Sequence, residues 1–133
     1  MLVRWAATLG TNISRNPLRG TTDAQRLTQV INRSVRAFQR QPSLARLVAT
    51  LETSADPYAT EILARLAQTT NDIYVAAIHD LDHETAQRVV NVVDAVLAAR
   101  LRSWVAGRIS LATVSEDMAD AISLLFDPQT ARS

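Results

Sequence analysis

Asp94 is the residue of this sequence whose surroundings point most directly to chemistry. It lies within the apolar segment VVNVVDAVLAARL, where Val90, Leu97 and Leu101 follow a helical spacing and share its face. A carboxylate on such a face is costly to bury unless it is paired. We therefore expect Asp94 either to anchor a hydroxyl or amine of a ligand, or to pair with an arginine of another helix or of a second copy. Pairing is the interpretation that we favour.

A second group of polar residues resembles a metal cluster: His79, Asp80, Asp82, His83 and Glu84. Two histidines four positions apart share a metal ion only when they stand on one continuous helix. Asp82 is predicted to cap a new helix between them, which breaks that spacing. We interpret the group as a solvated helix junction and predict no metal site and no cofactor.

The remaining polar candidates are weaker. One predicted helix carries a row of arginines that point away from its apolar face: Arg26, Arg33, Arg36 and Arg40. Such a row could contact phosphates, but it is more typical of a solvated face. The hydroxyls of Ser34 and Thr70 could contact a ligand or bond their own backbone. The sequence contains no nucleophile–base pair, close carboxylate pair or glycine-rich phosphate loop, so we do not predict an enzyme.

Composition narrows the class of protein. The chain has 133 residues, no cysteine and a formal net charge of only +1. These values exclude a disulfide framework and disagree with the strong basic excess of a nucleic-acid-binding module. No apolar run approaches the roughly 20 residues of a membrane span, and we see no signal peptide. We therefore expect a cytoplasmic protein that does not enter the membrane.

Periodicity and capping residues predict an all-α fold, a helical bundle of about six helices within one domain spanning residues 1–133. Three helices are predicted to begin after the capping residues Thr22, Asp82 and Ser110. The predicted helices cover residues 1–14, 22–40, 43–51, 58–79, 82–107 and 110–125.

The fifth predicted helix is apolar on two sides, so it must be covered on two sides. Its large side chains form an inward face: Val90, Val93, Leu97, Leu101, Trp104 and Val105. Its small and β-branched side chains form the opposite face: Val89, Val92, Val96, Ala99 and Ser103. The last helix has a single apolar stripe that contains Val114, Met118, Ile122 and Leu125. Two such helices could form a four-helix bundle with a twofold mate, so we predict a homodimer through these faces.

Several segments resemble a known family. Residues 101–110 (LRSWVAGRIS), followed by a helix that ends at 122–125 (ISLL), are similar to the last two helices of TetR-family transcriptional regulators. Residues 38–44 (FQRQPSL) resemble the KstR-type branch, which represses sterol and lipid catabolism, and residues 2–6 (LVRWA) resemble the helix after the DNA-binding unit. The family's N-terminal helix-turn-helix has no counterpart in this sequence, so DNA binding would need a unit absent from it.

The resemblance implies a pocket for a steroid-like, lipid or acyl-CoA ligand among helices one, two, four and five. Its predicted lining is Leu2, Trp5, Leu9, Ile31, Ser34, Phe38, Leu66, Thr70, Tyr74, Val93, Asp94, Leu97 and Trp104. The same residues could instead simply fill the core. The chain would then be a structural dimer, for example one that pairs with full-length relatives.

Overall fold

The computed structural model describes residues 2–127, with side chains from Arg4 onward. Its helices are α1 Leu2–Arg15, α2 Asp23–Arg40, α3 Pro42–Glu52, α4 Pro57–Ala76, α5 His83–Val105 and α6 Leu111–Leu125. The predicted all-α class is confirmed. The first residue of the predicted helix 1–14 and the proposed role of the Leu2 side chain lie outside the described residues. None of the described helices is long and apolar enough to span a bilayer.

Local capping chemistry sets most helix ends. The side chains of Thr22, Asp82 and Ser110 each accept a hydrogen bond from the backbone N–H three residues later, which confirms all three predicted caps. Beyond the end of α5, Gly107 takes a positive φ of 76°, a conformation that glycine adopts without steric cost. Helix α4 ends at Ala76, three residues before its predicted end.

Most of the buried apolar residues that the structure describes form two clusters. The larger cluster lies between α2, α5 and α6, with Leu27, Val93 and Met118 among its fully buried members. The smaller cluster joins α1 to α2, α3 and α4 around Phe38. Leu101 and Trp104 of α5 touch both clusters, so α5 is the helix that both halves of the core share.

The prediction that the stripe of α6 forms a dimer interface is wrong for three of its residues. Val114, Met118 and Ile122 are fully buried in the chain's own core, because α6 packs on both α2 and α5. Leu125 is half-buried against the same cluster. The large apolar side chain that α6 does expose is Leu124, which is 60% accessible to solvent.

Arg26 was also expected to point into solvent, and the structure places it in the interior at 8% exposure. Its Nε donates to the carbonyl of Ala77 at 2.9 Å, and its guanidinium pairs with Asp23. The Asp23 carboxylate in turn accepts the backbone N–H groups of His79 and Asp80. The segment after Ala76 therefore bonds to α2 rather than continuing α4.

Candidate functional site

An apolar cleft of about 220 Å³ lies between α3, α4 and α5, with two aromatic rings from α1 and α2 at its floor. Each wall is one stripe of a helix, at the three- and four-residue spacing of a single helical face. The stripe of α3 is Ala45, Val48, Ala49 and Glu52. The stripe of α4 is Leu63, Leu66, Ala67, Thr70 and Tyr74. The stripe of α5 is Asp94, Leu97, Ala98, Leu101 and Arg102.

Small side chains explain why space remains between these three helices. Four alanines line the cleft, Ala45 and Ala49 from α3, Ala67 from α4 and Ala98 from α5. Protein interiors are normally close-packed, and a methyl group fills less of the space between helices than a larger side chain would. These four alanines therefore contribute to the space that remains between the three helices.

Trp5 and Phe38 form the floor. Their ring centroids are 4.6 Å apart and their planes are tilted by 32°. Contacts of this kind stabilise aromatic pairs beyond the area that they bury. The indole Nε1 of Trp5 is buried and has no hydrogen-bond partner among the described residues. The pair ties α1 to α2 at the inner end of the cleft.

Tyr74 supplies a polar group to an otherwise apolar wall. Its hydroxyl lies 3.0 Å from Oγ of Ser34, and Ser34 donates its own proton to the carbonyl of Val30. Tyr74 is therefore the donor to Ser34 and keeps its oxygen free to accept a bond. Burial raises the pKa of Tyr74 to about 12, so the phenol stays neutral. Thr70, one turn away, donates its hydroxyl proton to the carbonyl of Leu66 at 3.0 Å.

Three charged residues stand at the mouth of the cleft. Arg102 donates to Glu52 across the opening, at 3.3 Å between Nη1 and Oε2, and so joins α5 to α3. Asp94 forms no hydrogen bond or ion pair with any other described residue, so the favoured pairing is not made with an arginine of those residues, and pairing with an arginine of a second copy stays a prediction. Its side chain is open to solvent on one side, yet the cleft walls remove water from the other. This desolvation, followed by the charge of Glu52, raises the pKa of Asp94.

The structure gathers seven of the predicted ligand-contacting residues around the cleft: Trp5, Phe38, Leu66, Thr70, Tyr74, Asp94 and Leu97. Ser34 lies behind Tyr74 and orients its hydroxyl.

Four predicted lining residues do not reach the cleft. Ile31 and Val93 are fully buried between α2, α5 and α6, and Trp104 packs where the two core clusters meet. Leu9 lies instead on a separate groove between α1 and α2. Each is apolar and correctly predicted to face inward, but inward positions on one helix face several different neighbours.

Sequence reasoning missed the whole wall that α3 provides. Ala45 and Ala49, four positions apart in the predicted third helix, were the available signal, and they became meaningful only once α3 was known to face α4 and α5.

The groove between α1 and α2 holds part of the arginine row. Arg33, Arg36 and Arg40 line it together with Trp5 and Leu9. Arg33 donates to the side chain of Asn12 and to the carbonyl of Asn16, so it fastens the end of α1 to α2. Arg36 and Arg40 lie on the solvent side, as predicted for a solvated face.

The polar residues between α4 and α5 form a junction. Asp82 uses its carboxylate to accept the backbone N–H of Thr85 at 2.7 Å. In the part of the chain that the structure describes, no group of three or more histidine, cysteine or acidic side chains is arranged to hold a metal ion.

The second face of α5 is only partly covered by the chain itself. Val92 is 46% exposed, and its neighbours on that face are half-buried: Val89, Val96, Ala99 and Ser103. On the adjacent helix, Asp117 of α6 pairs with Arg100 of α5 at 3.3 Å. An apolar strip bordered by an ion pair therefore remains on the surface of α5.

The chain matches a known protein family over most of its length. The family model described as tetracyclin repressor-like, C-terminal domain, matches residues 20–125, which contain all of α2 to α6. No curated protein matches the sequence.

Proposed function

We propose that this chain, which belongs to the tetracyclin repressor-like C-terminal domain family, is an effector-sensing and dimerisation domain of a cytoplasmic transcriptional regulator. Its small hydrophobic ligand would occupy the cleft between α3, α4 and α5. The observation that carries the proposal is the cleft itself: an apolar space with an aromatic floor and few polar groups, of the kind that ligand sites present.

The size of the cleft limits the ligand. An engineered cavity of about 150 Å³ accepts benzene, whereas pockets for drug-sized molecules span about 300–1,000 Å³. At about 220 Å³, the cleft suits a molecule of one or two rings. A steroid-like or acyl-CoA ligand, as expected for a KstR-like regulator, would require α3 to move away from α5. We therefore favour a ligand of one or two rings over the steroid-like or acyl-CoA ligand of a KstR-like regulator.

The route from ligand to output would run through α1. Trp5 of α1 contacts the same cleft as α3, α4 and α5, and α1 packs along α4. A ligand that binds one arrangement of these helices more tightly than another shifts the population toward that arrangement. We propose that the position of α1 relative to α4 is the quantity that the ligand changes.

Dimerisation is the second part of the proposal. Val92 in the uncovered strip of α5 and Leu124 of the adjacent α6 both expose large apolar side chains, and exposed apolar side chains favour contact with a partner. Small residues on this strip, such as Ala99 and Ser103, permit close approach of a second α5. The interface that we propose therefore comprises Val89, Val92, Val96, Ala99 and Ser103 of α5, with Leu124 and Leu125 of α6.

Filling the cleft tests the proposed site. The purified protein is first analysed by native mass spectrometry for a co-purified small molecule and then titrated with one- and two-ring aromatic compounds. Ala98→Leu places a larger side chain in the cleft and should abolish binding, whereas Ala112→Leu on the exposed side of α6 should leave it unchanged. If both variants bind equally well, the ligand binds outside the cleft. An empty dimer that binds none of the compounds would favour the structural, ligand-free alternative.

A further inference from the structure

We propose that the cleft selects a small hydrophobic cation, an aromatic or alicyclic ammonium of one or two rings, with Asp94 as its counter-ion. This inference rests on the proposed function, since it names the chemical class of the ligand in the same cleft.

The charges of the lining favour a cationic ligand. Glu52 and Arg102 neutralise each other through their ion pair across the mouth. Asp94 is the third charged residue of the lining, and no other described residue forms a hydrogen bond or ion pair with it. The net charge that the cleft presents to a ligand is therefore that of one carboxylate.

The free energy of removing water from Asp94 when a ligand binds also favours a cation. A ligand that enters the cleft removes water from the inner side of Asp94, which stands one turn before Leu97 and Ala98 on the same stripe of α5. A carboxylate that loses water without gaining a partner is disfavoured, and a carboxylate beside an anion is disfavoured further. A cation with an N–H donor replaces the lost water with a charge-assisted hydrogen bond.

The aromatic side chains of the cleft also favour a cation. Trp5, Phe38 and Tyr74 place three aromatic rings around the space that Asp94 borders. The negative face of an aromatic ring attracts a cation, and ring faces also pack well on an aromatic ligand. We infer a ligand whose ammonium lies at Asp94 and whose ring system points toward the floor.

An anionic ligand has a weaker case. The cation at the mouth that could receive it is Arg102, which is engaged with Glu52 at 3.3 Å. An anion would have to break this pair and would then face two carboxylates. Because of these carboxylates and the paired state of Arg102, the ligand class that we propose does not include acids.

Three probes with one ring system test the inference: 1-naphthylmethylammonium, 1-naphthalenemethanol and 1-naphthoate. They share the naphthyl group and differ in the charge of the substituent. Calorimetric titration of the whole chain should give the tightest binding for the ammonium, at least about tenfold tighter than the alcohol, and the weakest for the carboxylate. This ratio is measured on the unmodified protein and requires no variant to fold.

Asp94→Asn then tests the assigned counter-ion. The variant should bind the ammonium and the alcohol with affinities within about threefold of each other, and its affinity for the alcohol should stay close to that of the parent protein. Asp120→Asn removes a carboxylate from the exposed side of α6 and should keep the full preference for the ammonium.

The outcomes separate the two proposals. If the ammonium and the alcohol bind the parent protein equally, the cation inference is wrong while the ligand site stands. If the preference persists in Asp94→Asn, the assignment of Asp94 is wrong. If none of the probes binds, the proposed ligand site fails, and the cation inference fails with it.

Discussion

The carboxylate of Asp23 in the first turn of α2 accepts the backbone N–H of His79 at 2.7 Å, 56 residues later in the chain. Its second oxygen accepts the N–H of Asp80 at 3.1 Å, and Arg26 pairs with the same carboxylate. Asp23 is 6% exposed, so this network is shielded from water. It fastens α2 to the junction that leads from α4 into α5.

Asp23→Asn should destabilise the protein by about 3 kcal/mol or more, because it leaves the buried guanidinium of Arg26 without its counter-charge. Equilibrium unfolding in urea, monitored by circular dichroism, measures the change. Asp120→Asn is the matched control and should alter the free energy of unfolding by less than about 0.5 kcal/mol. A loss below about 1 kcal/mol in Asp23→Asn would show that the network contributes little.

The same residue predicts a dependence on pH. Burial alone would raise the pKa of Asp23, but the N–H groups of His79 and Asp80 and the guanidinium of Arg26 together lower it below its ordinary value of 3.8. A depressed pKa contributes stability that is present above the unfolded value and is lost as the pH falls through the folded value. The parent protein should therefore lose stability steeply below about pH 4, and Asp23→Asn should show a flatter profile in that range. Parallel slopes would contradict this prediction.

In the absence of ligand, Asp94→Asn should stabilise the protein, whereas Asp23→Asn should destabilise it. Desolvation, and secondly the charge of Glu52, raise the pKa of Asp94, which means that its ionised form is less favourable in the folded state. Removing the charge should raise the melting temperature at pH 7. Because solvent reaches the side chain, the gain should stay below about 1 kcal/mol. A lower melting temperature would indicate a stabilising partner, such as an arginine of a second copy.

The pair formed by Ser34 and Tyr74 is suited to a double-mutant cycle. Ser34→Ala leaves the buried hydroxyl of Tyr74 without its acceptor and should cost about 1–3 kcal/mol. Tyr74→Phe removes that hydroxyl, so adding Ser34→Ala to it should cost less than Ser34→Ala alone. Urea unfolding of the four proteins gives the coupling energy. Strictly additive effects would mean that the 3.0 Å contact contributes nothing.

Charged substitutions on the exposed face of α5 and on the buried stripe of α6 should have different effects on assembly. Val92→Glu changes an exposed residue and should convert a dimer to a folded monomer, whereas Val114→Glu buries a charge in the core and should unfold the chain. Sedimentation velocity and circular dichroism together distinguish these results. If Val92→Glu stays dimeric, the proposed interface is wrong.

The sequence by itself determined the helices of this protein. Caps such as Thr22 and Asp82 act within three residues, and apolar periodicity identifies the inward side of each helix, so both are local properties. The all-α class and most helix ends followed from them. The importance of α5 was also visible, because a helix that is apolar on two sides has to be covered twice.

Only the tertiary structure decided what each face meets. The stripe of α6 could equally have covered a second copy or its own core, and the packing of α6 on α2 settled the question. The sequence pattern placed Arg26 on a solvated face, whereas in the structure it bonds to Asp23 and to the carbonyl of Ala77. The cleft is lined by residues from helices that are distant in sequence, and whether Asp94 has a partner among the described residues depends on where their arginines lie. These are relations between elements, and periodicity within one helix carries no information about its neighbours.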